Sequence, residues 1–358
     1  GWSDSSMIVL RILVFIAGII IVLVAMLSAV RTFLISRSAP DPISGSVFRS
    51  LRYGIQFCIR WTKSYRTRDR VLAYYAPTAM LILLLVWLAI VLIGFMFMFW
   101  ATGITDWSEA FRVSGSSLLT LGFARADSVL QTTMTFFEAA IGLILVAILI
   151  AYLPTMYSAF SRRENAVTLL ETRAGKPPSA AEMILRYHRN DGLDTLGESW
   201  KAWESWFAEL QESHTALAPL VFFRSVQPEY SWVTAAGTVL DTASLILSTV
   251  DVARDVQAAL CVRAGFLALR HINDFFKVDY NSEPSFPTDP ISITREEYDL
   301  VIARFEEAGV PLKKDREQAW LDFGGWRVNY DKPLLALSQI TMAPEAPWTS
   351  DRLPIDVT

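Results

Sequence analysis

Leu119-Thr120-Leu121-Gly122-Phe123-Ala124 lies between two long apolar runs, residues 78–102 and 129–160. The first run has no charged residue and the second has one, Glu138. A run of about 20 such residues is enough to cross a bilayer as a helix. The segment between them must be placed with care. Irregular backbone sits at membrane depth only where protein satisfies it or where it lines a water-filled cavity. Gly122 lets that backbone adopt either hand without a steric cost.

Working outward, Asp106-Trp107-Ser108-Glu109-Ala110-Phe111 opens like a helix. Asp106 is placed as its N-cap, and Glu109 follows three residues on. Trp107, Phe111, Leu118 and Leu119 are apolar, which suits a short helix dipping into protein at membrane depth. Upstream, residues 12–30 form a third uncharged run. It is longer than an ordinary signal core and lacks a small-residue cleavage site, so it reads as an anchor helix. Trp100 closes the 78–102 run and suits the membrane–water boundary.

Composition agrees with a membrane assignment. Of 358 residues, 53% are hydrophobic and 19% charged, against about 25% charged in soluble proteins. Residues 1–160 hold 12 Lys/Arg against 7 Asp/Glu, while residues 161–358 hold 20 against 29. The segment 36–75 carries Arg37, Arg49, Arg52, Arg60, Lys63, Arg66, Arg68 and Arg70 against Asp41 and Asp69, and Arg162-Arg163 follow the last run. By the positive-inside rule both places are cytoplasmic, which puts the loop 103–128 and the N-terminus outside. Cys58 and Cys261 show no metal or disulfide spacing and read as packing residues. No general nucleic-acid footprint is present.

The order of apolar helix, short helix, Thr120-Leu121-Gly122-Phe123, and apolar helix with Gly142 resembles the pore module of the potassium-channel family. The resemblance implies four copies around one axis. Backbone carbonyls of Thr120, Leu121, Gly122, Phe123 and Ala124 would then replace the hydration shell of a permeant potassium ion. It also makes Gly142 a hinge and Pro154 a kink near an inner gate, since proline removes a helix hydrogen bond.

Three positions depart from the family pattern. Its second filter glycine is Ala124, where a left-handed residue costs about 1–2 kcal/mol. The acidic residue that follows in the family is Arg125, with Asp127 near enough to pair with it. Leu119 replaces a threonine. Selectivity therefore stays open. Glu138, an intramembrane carboxylate, lies one helical turn before Gly142 on the same face. Two readings stand for it: a pore-associated group that attracts cations or braces the short helix through Ser114, Ser117 or Arg112, and a structural hydrogen bond between helices.

Lys176-Pro177-Pro178-Ser179 opens a further region, with a helix starting at Ser179. Trp200, Trp203, Phe207 and Leu210 recur at helical spacing, as a core stripe does. Residues 232–276 read as one long helical stretch, buried rather than spanning because Asp241 interrupts it. Residues 281–290 read as a loop, 294–308 as a capped helix, 313–323 as another, and the proline-rich segment after Ala343 as extended. His188, His214 and His271 lack metal spacing, and neither a nucleotide-binding nor a catalytic motif is present.

The expectation is an all-α membrane protein with no enzymatic activity and no cofactor. Residues 1–35 form a transmembrane helix, 36–75 a basic linker, 76–163 a pore domain with a re-entrant helix, and 164–358 a helical cytoplasmic domain for regulation or assembly. Expected partners are three further copies, membrane lipid and an unidentified ligand or protein for the last domain. The expected location is a plasma membrane of bacterial inner-membrane type. A non-selective channel and a non-conducting membrane-anchored sensor or scaffold are the alternatives.

Overall fold

The computed structural model describes residues 4–33, 41–61 and 65–351. All helices and no strand are found among them, apart from a lone bridge between Val250 and Leu312. Two compact units divide the chain: residues 1–63 with 74–157, and residues 64–73 with 158–358.

The helices of the first half are α1 (Asp4–Phe33), α2 (Pro42–Ile59), α3 (Tyr65–Ala73), α4 (Tyr75–Ala101), α5 (Trp107–Leu118) and α6 (Val129–Ala174). Helix α3 belongs to the second unit, and α6 passes from the first into the second. Three helical stretches, Ser6–Phe33, Thr67–Ala101 and Val129–Ala174, are long and apolar enough to cross a membrane. They cover the three apolar runs read from the sequence, the second as far as Ala101.

In the first unit α1 and α4 meet at a pair of glycines. A Cβ on Gly18 would stand 2.5 Å from the Gly94 carbonyl oxygen, and one on Gly94 would stand 2.9 Å from that of Gly18. Small residues allow such backbone approach, the main source of helix association where lipid removes the hydrophobic drive. Ala25 and Ala29 of α1 are fully buried, and Trp87 of α4 donates its indole N–H to Ser28 Oγ at 2.9 Å. The Ser28 hydroxyl donates in turn to Asp41 Oδ2 at 2.6 Å.

The stretch 36–75, expected as a linker, is largely helical. Asp41 caps α2 by accepting from Ser44 N at 2.9 Å, and Pro42 occupies the first turn, both ordinary helix-start chemistry. Arg37 and Lys63 lie outside the described residues, as does the side chain of Arg66. Cys58 is exposed on α2, so only the buried Cys261 packs as expected.

The second unit contains α7 (Ala180–Arg189), α8 (Leu196–Ala216), α9 (Trp232–Ser248), α10 (Val256–Phe275), α11 (Arg295–Glu307), α12 (Arg316–Arg327) and α13 (Asp331–Thr341). Its centre is α9, buried along almost its whole length. Enclosure by protein rather than lipid explains how it carries Asp241 and several hydroxyls. Arg327 bridges Asp241 at 2.5 Å and Asp331 at 2.7 Å, and donates to the Trp348 carbonyl at 2.8 Å. The Trp200, Trp203, Phe207 and Leu210 stripe is buried against this core. Asp69 of α3 is tied to Arg224 at 2.5 Å, and both side chains are nearly buried.

Several boundaries differ from expectation. The 232–276 stretch is two helices, because Val250 pairs with Leu312 and Asp255 caps a new start through Gln257 N. Asp315 caps α12 three residues later than read, and α13 was not foreseen. The segment after Ala343 turns back, burying Ala346, Trp348 and Thr349. Residues 352–358, its last part, lie outside the described residues. The Thr294–Glu297 capping box and the Ser179 start occur as read.

Candidate functional site

Helix α5 is built by its cap and its buried face. The Asp106 carboxylate accepts from the Ser108 hydroxyl at 2.5 Å and from the Ser108 amide at 3.2 Å. These bonds hold its carboxyl below the usual carboxylate range, so it is an anion at a helix N-terminus, where the macrodipole favours one. Trp107 stacks on Trp100 at 6.0 Å and meets Phe97 edge-on. Ala110, Val113, Ser114 and Leu118 form the buried side, while Phe111 is exposed.

The loop after α5 is ordered by its amides. Thr120 N donates to Ser117 O at 3.0 Å, and Leu121 N to Ser116 O at 2.8 Å. Gly122 N reaches the same Ser116 O at 3.4 Å, and Ala124 N donates to Ser116 Oγ at 3.1 Å. No described donor reaches the carbonyl oxygens of residues 119–123. These four amides face the helix they have just left, and the carbonyls are left over.

The sign of φ alternates along the same residues. Leu119 has φ −91°, Thr120 +54° and Gly122 +72°, with Leu121 and Phe123 negative. Alternating hands turn successive peptide dipoles toward one side, as in backbone nests. The left-handed conformation expected at Ala124 is absent there and falls on Thr120 instead. For a β-branched residue this is a true outlier, costing about 1–3 kcal/mol. Ser116 accounts for the difference, because its carbonyl and hydroxyl draw in the amides on both sides of Gly122.

An open cavity of about 420 Å³ lies against this loop. Ser117, Thr120, Gly122 and Arg125 line one side, and Thr132, Thr135 and Phe136 of α6 line the other. Arg125 and Asp127 are exposed and do not pair, contrary to expectation.

Glu138 is fully buried, and Ser114 Oγ lies 2.5 Å from its Oε1. Of the three partners weighed from the sequence, only Ser114 is used. Ser117 turns to the Val113 carbonyl, and Arg112 is exposed. Gly142 lies where α6 crosses the end of α5: a Cβ there would stand 2.4 Å from the Leu118 carbonyl oxygen. Its observed role is close packing within an unbroken helix. Pro154 also lies inside α6, which continues through it to Ala174.

Sequence reading missed Ser116, whose only signal was a serine pair ahead of the loop. It read Arg163 only as a charge that sets orientation, whereas the residue is buried in the second unit. Arg163 donates to the carbonyls of Leu220 at 3.0 Å and Phe223 at 2.7 Å, and lies 3.2 Å from His214 Nε2. Among the described residues no cluster of His, Cys, Asp and Glu is arranged to hold a metal. No family model matches the chain, and no significant match exists among curated proteins or solved structures.

Proposed function

We propose that the protein is a tetrameric cation channel that conducts potassium. Four copies of the 119–124 loop surround one axis, with α5 as a re-entrant helix between the outer helix α4 and the inner helix α6. The observation that supports this reading most is the division of the loop's polar groups. The amides of Thr120, Leu121, Gly122 and Ala124 are taken up by Ser116 and Ser117, while the carbonyls of residues 119–123 have no donor among the described residues. An anion would need the amides; a dehydrated cation needs the carbonyls. Helix α5 also ends at the loop, presenting the negative end of its dipole to a cation.

One chain supplies one set of carbonyls, too few to replace a hydration shell. A closed cyclic assembly supplies the rest. Exposed apolar side chains along α1 and α6, among them Ile12, Leu13, Leu143 and Ile150, leave surface for lipid and for neighbouring copies. In this reading the 103–128 loop lies outside a plasma membrane of the bacterial inner-membrane type. The second unit is then cytoplasmic, coupled through α6 to a gate near Pro154.

Purified protein in potassium-loaded liposomes should release potassium when a counter-ion path is provided, and Gly122→Val should abolish the release. No flux from wild-type protein that cross-links as a tetramer would overturn the reading. A second reading, a non-selective pore, is favoured by Arg125, which lies exposed beside the loop without an ion pair. Reversal potentials in potassium against sodium separate the two, and Arg125→Glu should raise the preference for cations over chloride.

A further inference from the structure

Glu138 stands apart from every other acid in the chain's apolar helices, and its surroundings constrain how it bonds. Its side chain is fully buried, and Oε2 has no hydrogen-bond partner. Oε1 lies 2.5 Å from Ser114 Oγ, which lies 3.2 Å from the Leu92 carbonyl oxygen. Glu138 makes no ion pair among the described residues, and the two basic residues of α5 and the loop after it, Arg112 and Arg125, are exposed.

A serine hydroxyl carries one proton. If Glu138 only accepted, that proton would have to serve both Oε1 and the Leu92 carbonyl, and one of the two close contacts would hold no hydrogen. An unpaired charged oxygen would also be left buried at Oε2, which buried sites do not tolerate. Assigning the hydrogen the other way removes both conflicts. The Glu138 O–H donates to Ser114 Oγ, and the Ser114 O–H donates to Leu92 O. The remaining Oε2 is then a neutral carbonyl oxygen, whose lack of a partner is the least costly kind.

We propose that Glu138 acts as a hydrogen-bond donor. It begins a two-bond relay, Glu138 to Ser114 to the Leu92 carbonyl, that ties α6, α5 and α4 together behind the Thr120–Phe123 loop. Glu138 is a positioning residue: it touches no ion and acts through α5. Ser114 lies two residues before Ser116, which orders the loop amides, so the relay fixes the helix end from which the loop is hung. Its effect on ion flow rests on the channel reading above; its chemistry does not.

The test uses the full chain reconstituted in liposomes. An infrared difference spectrum between wild type and Glu138→Gln at neutral pH should show the loss of a carboxylic-acid C=O band. Ser114→Ala should shift that band by removing its acceptor. Loss of a carboxylate band pair instead would overturn the relay. Glu138→Gln, whose amide N–H can still donate to Ser114, should keep the wild-type melting temperature and potassium-over-sodium ratio. Glu138→Leu and Ser114→Ala should lower that ratio by about three- to tenfold, the worth of one or two hydrogen bonds. Equal loss in Glu138→Gln and Glu138→Leu would overturn the donor role. If no variant, wild type included, conducts, the channel reading fails while the infrared result still decides the relay.

Discussion

Gly142 and the Leu118 carbonyl oxygen are in contact across the α5–α6 crossing, so close that a methyl group on Gly142 would stand 2.4 Å from that oxygen. Leu118 is the last residue of α5, and the loop begins one residue later. The spacing between α6 and the root of the loop is therefore set by the absence of a side chain at one position. Gly142→Ala should force the two apart and cost about 1–3 kcal/mol, as overpacking does. Thermal unfolding in detergent checks it; an unchanged melting temperature would leave Gly142 without the packing role.

The positive φ of Thr120 predicts an asymmetry between two neighbours. Thr120→Gly should relieve about 1–3 kcal/mol of strain, offset by the roughly 0.5–1 kcal/mol that glycine's extra freedom in the unfolded chain costs. Gly122→Ala should destabilise by about 1–2 kcal/mol, although no atom lies within 4 Å of the added methyl. Its cost is purely conformational. Paired melts of the two variants test the sign of each.

Arg327 holds the second unit together from inside. Burial opposes its charge, but Asp241 and Asp331 hold the guanidinium above its usual range. Arg327→Met strands two buried carboxylates and should cost about 3–5 kcal/mol. Arg327→Met combined with Asp241→Leu and Asp331→Leu should recover much of that loss, because the carboxylates are gone. Chemical unfolding of the three forms measures it.

His214 predicts a pH dependence. Its imidazole is fully buried beside Arg163, and burial first, then the guanidinium charge, pushes its pKa well below the usual 6.5. The folded ring is neutral: Nε2 accepts from Arg163 and Nδ1 faces Ser213 Oγ at 3.1 Å. An unfolded chain takes up a proton at His214 as pH falls through 6.5, and the folded chain does not. This contribution is present in full above pH 6.5 and declines as the pH falls below it. His214→Gln should flatten the loss of melting temperature between about pH 7 and pH 5, the range just around the ordinary histidine value.

How much could be read in advance follows from how local each cause is. The Thr294–Glu297 capping box and the Asp106 and Ser179 helix starts were read correctly, because a cap involves residues within one turn. Asp41-Pro42 carried an equally local signal, but the surrounding arginines drew the stretch toward a linker reading. Glu138 was singled out by its charge in an apolar run; its partner was narrowed to three residues and no further. Helix α13 and the buried turn at Trp348 had no local signal, since Arg327 reaches both from a different element.

By itself the chain's sequence determined the apolar helices and their lengths, because hydropathy is a sum over neighbouring residues and needs no partner. It also marked the six residues from Leu119 to Ala124 as a break between two such helices. Tertiary structure alone decided which loop residue is left-handed, where the amides turn and what Gly142 touches. Each depends on an atom brought from elsewhere in the fold: Ser116 for the amides, Leu118 for the glycine, Ser114 for the buried carboxyl. Backbone direction in a loop is set by which partners are within reach, and reach exists only once the helices have packed.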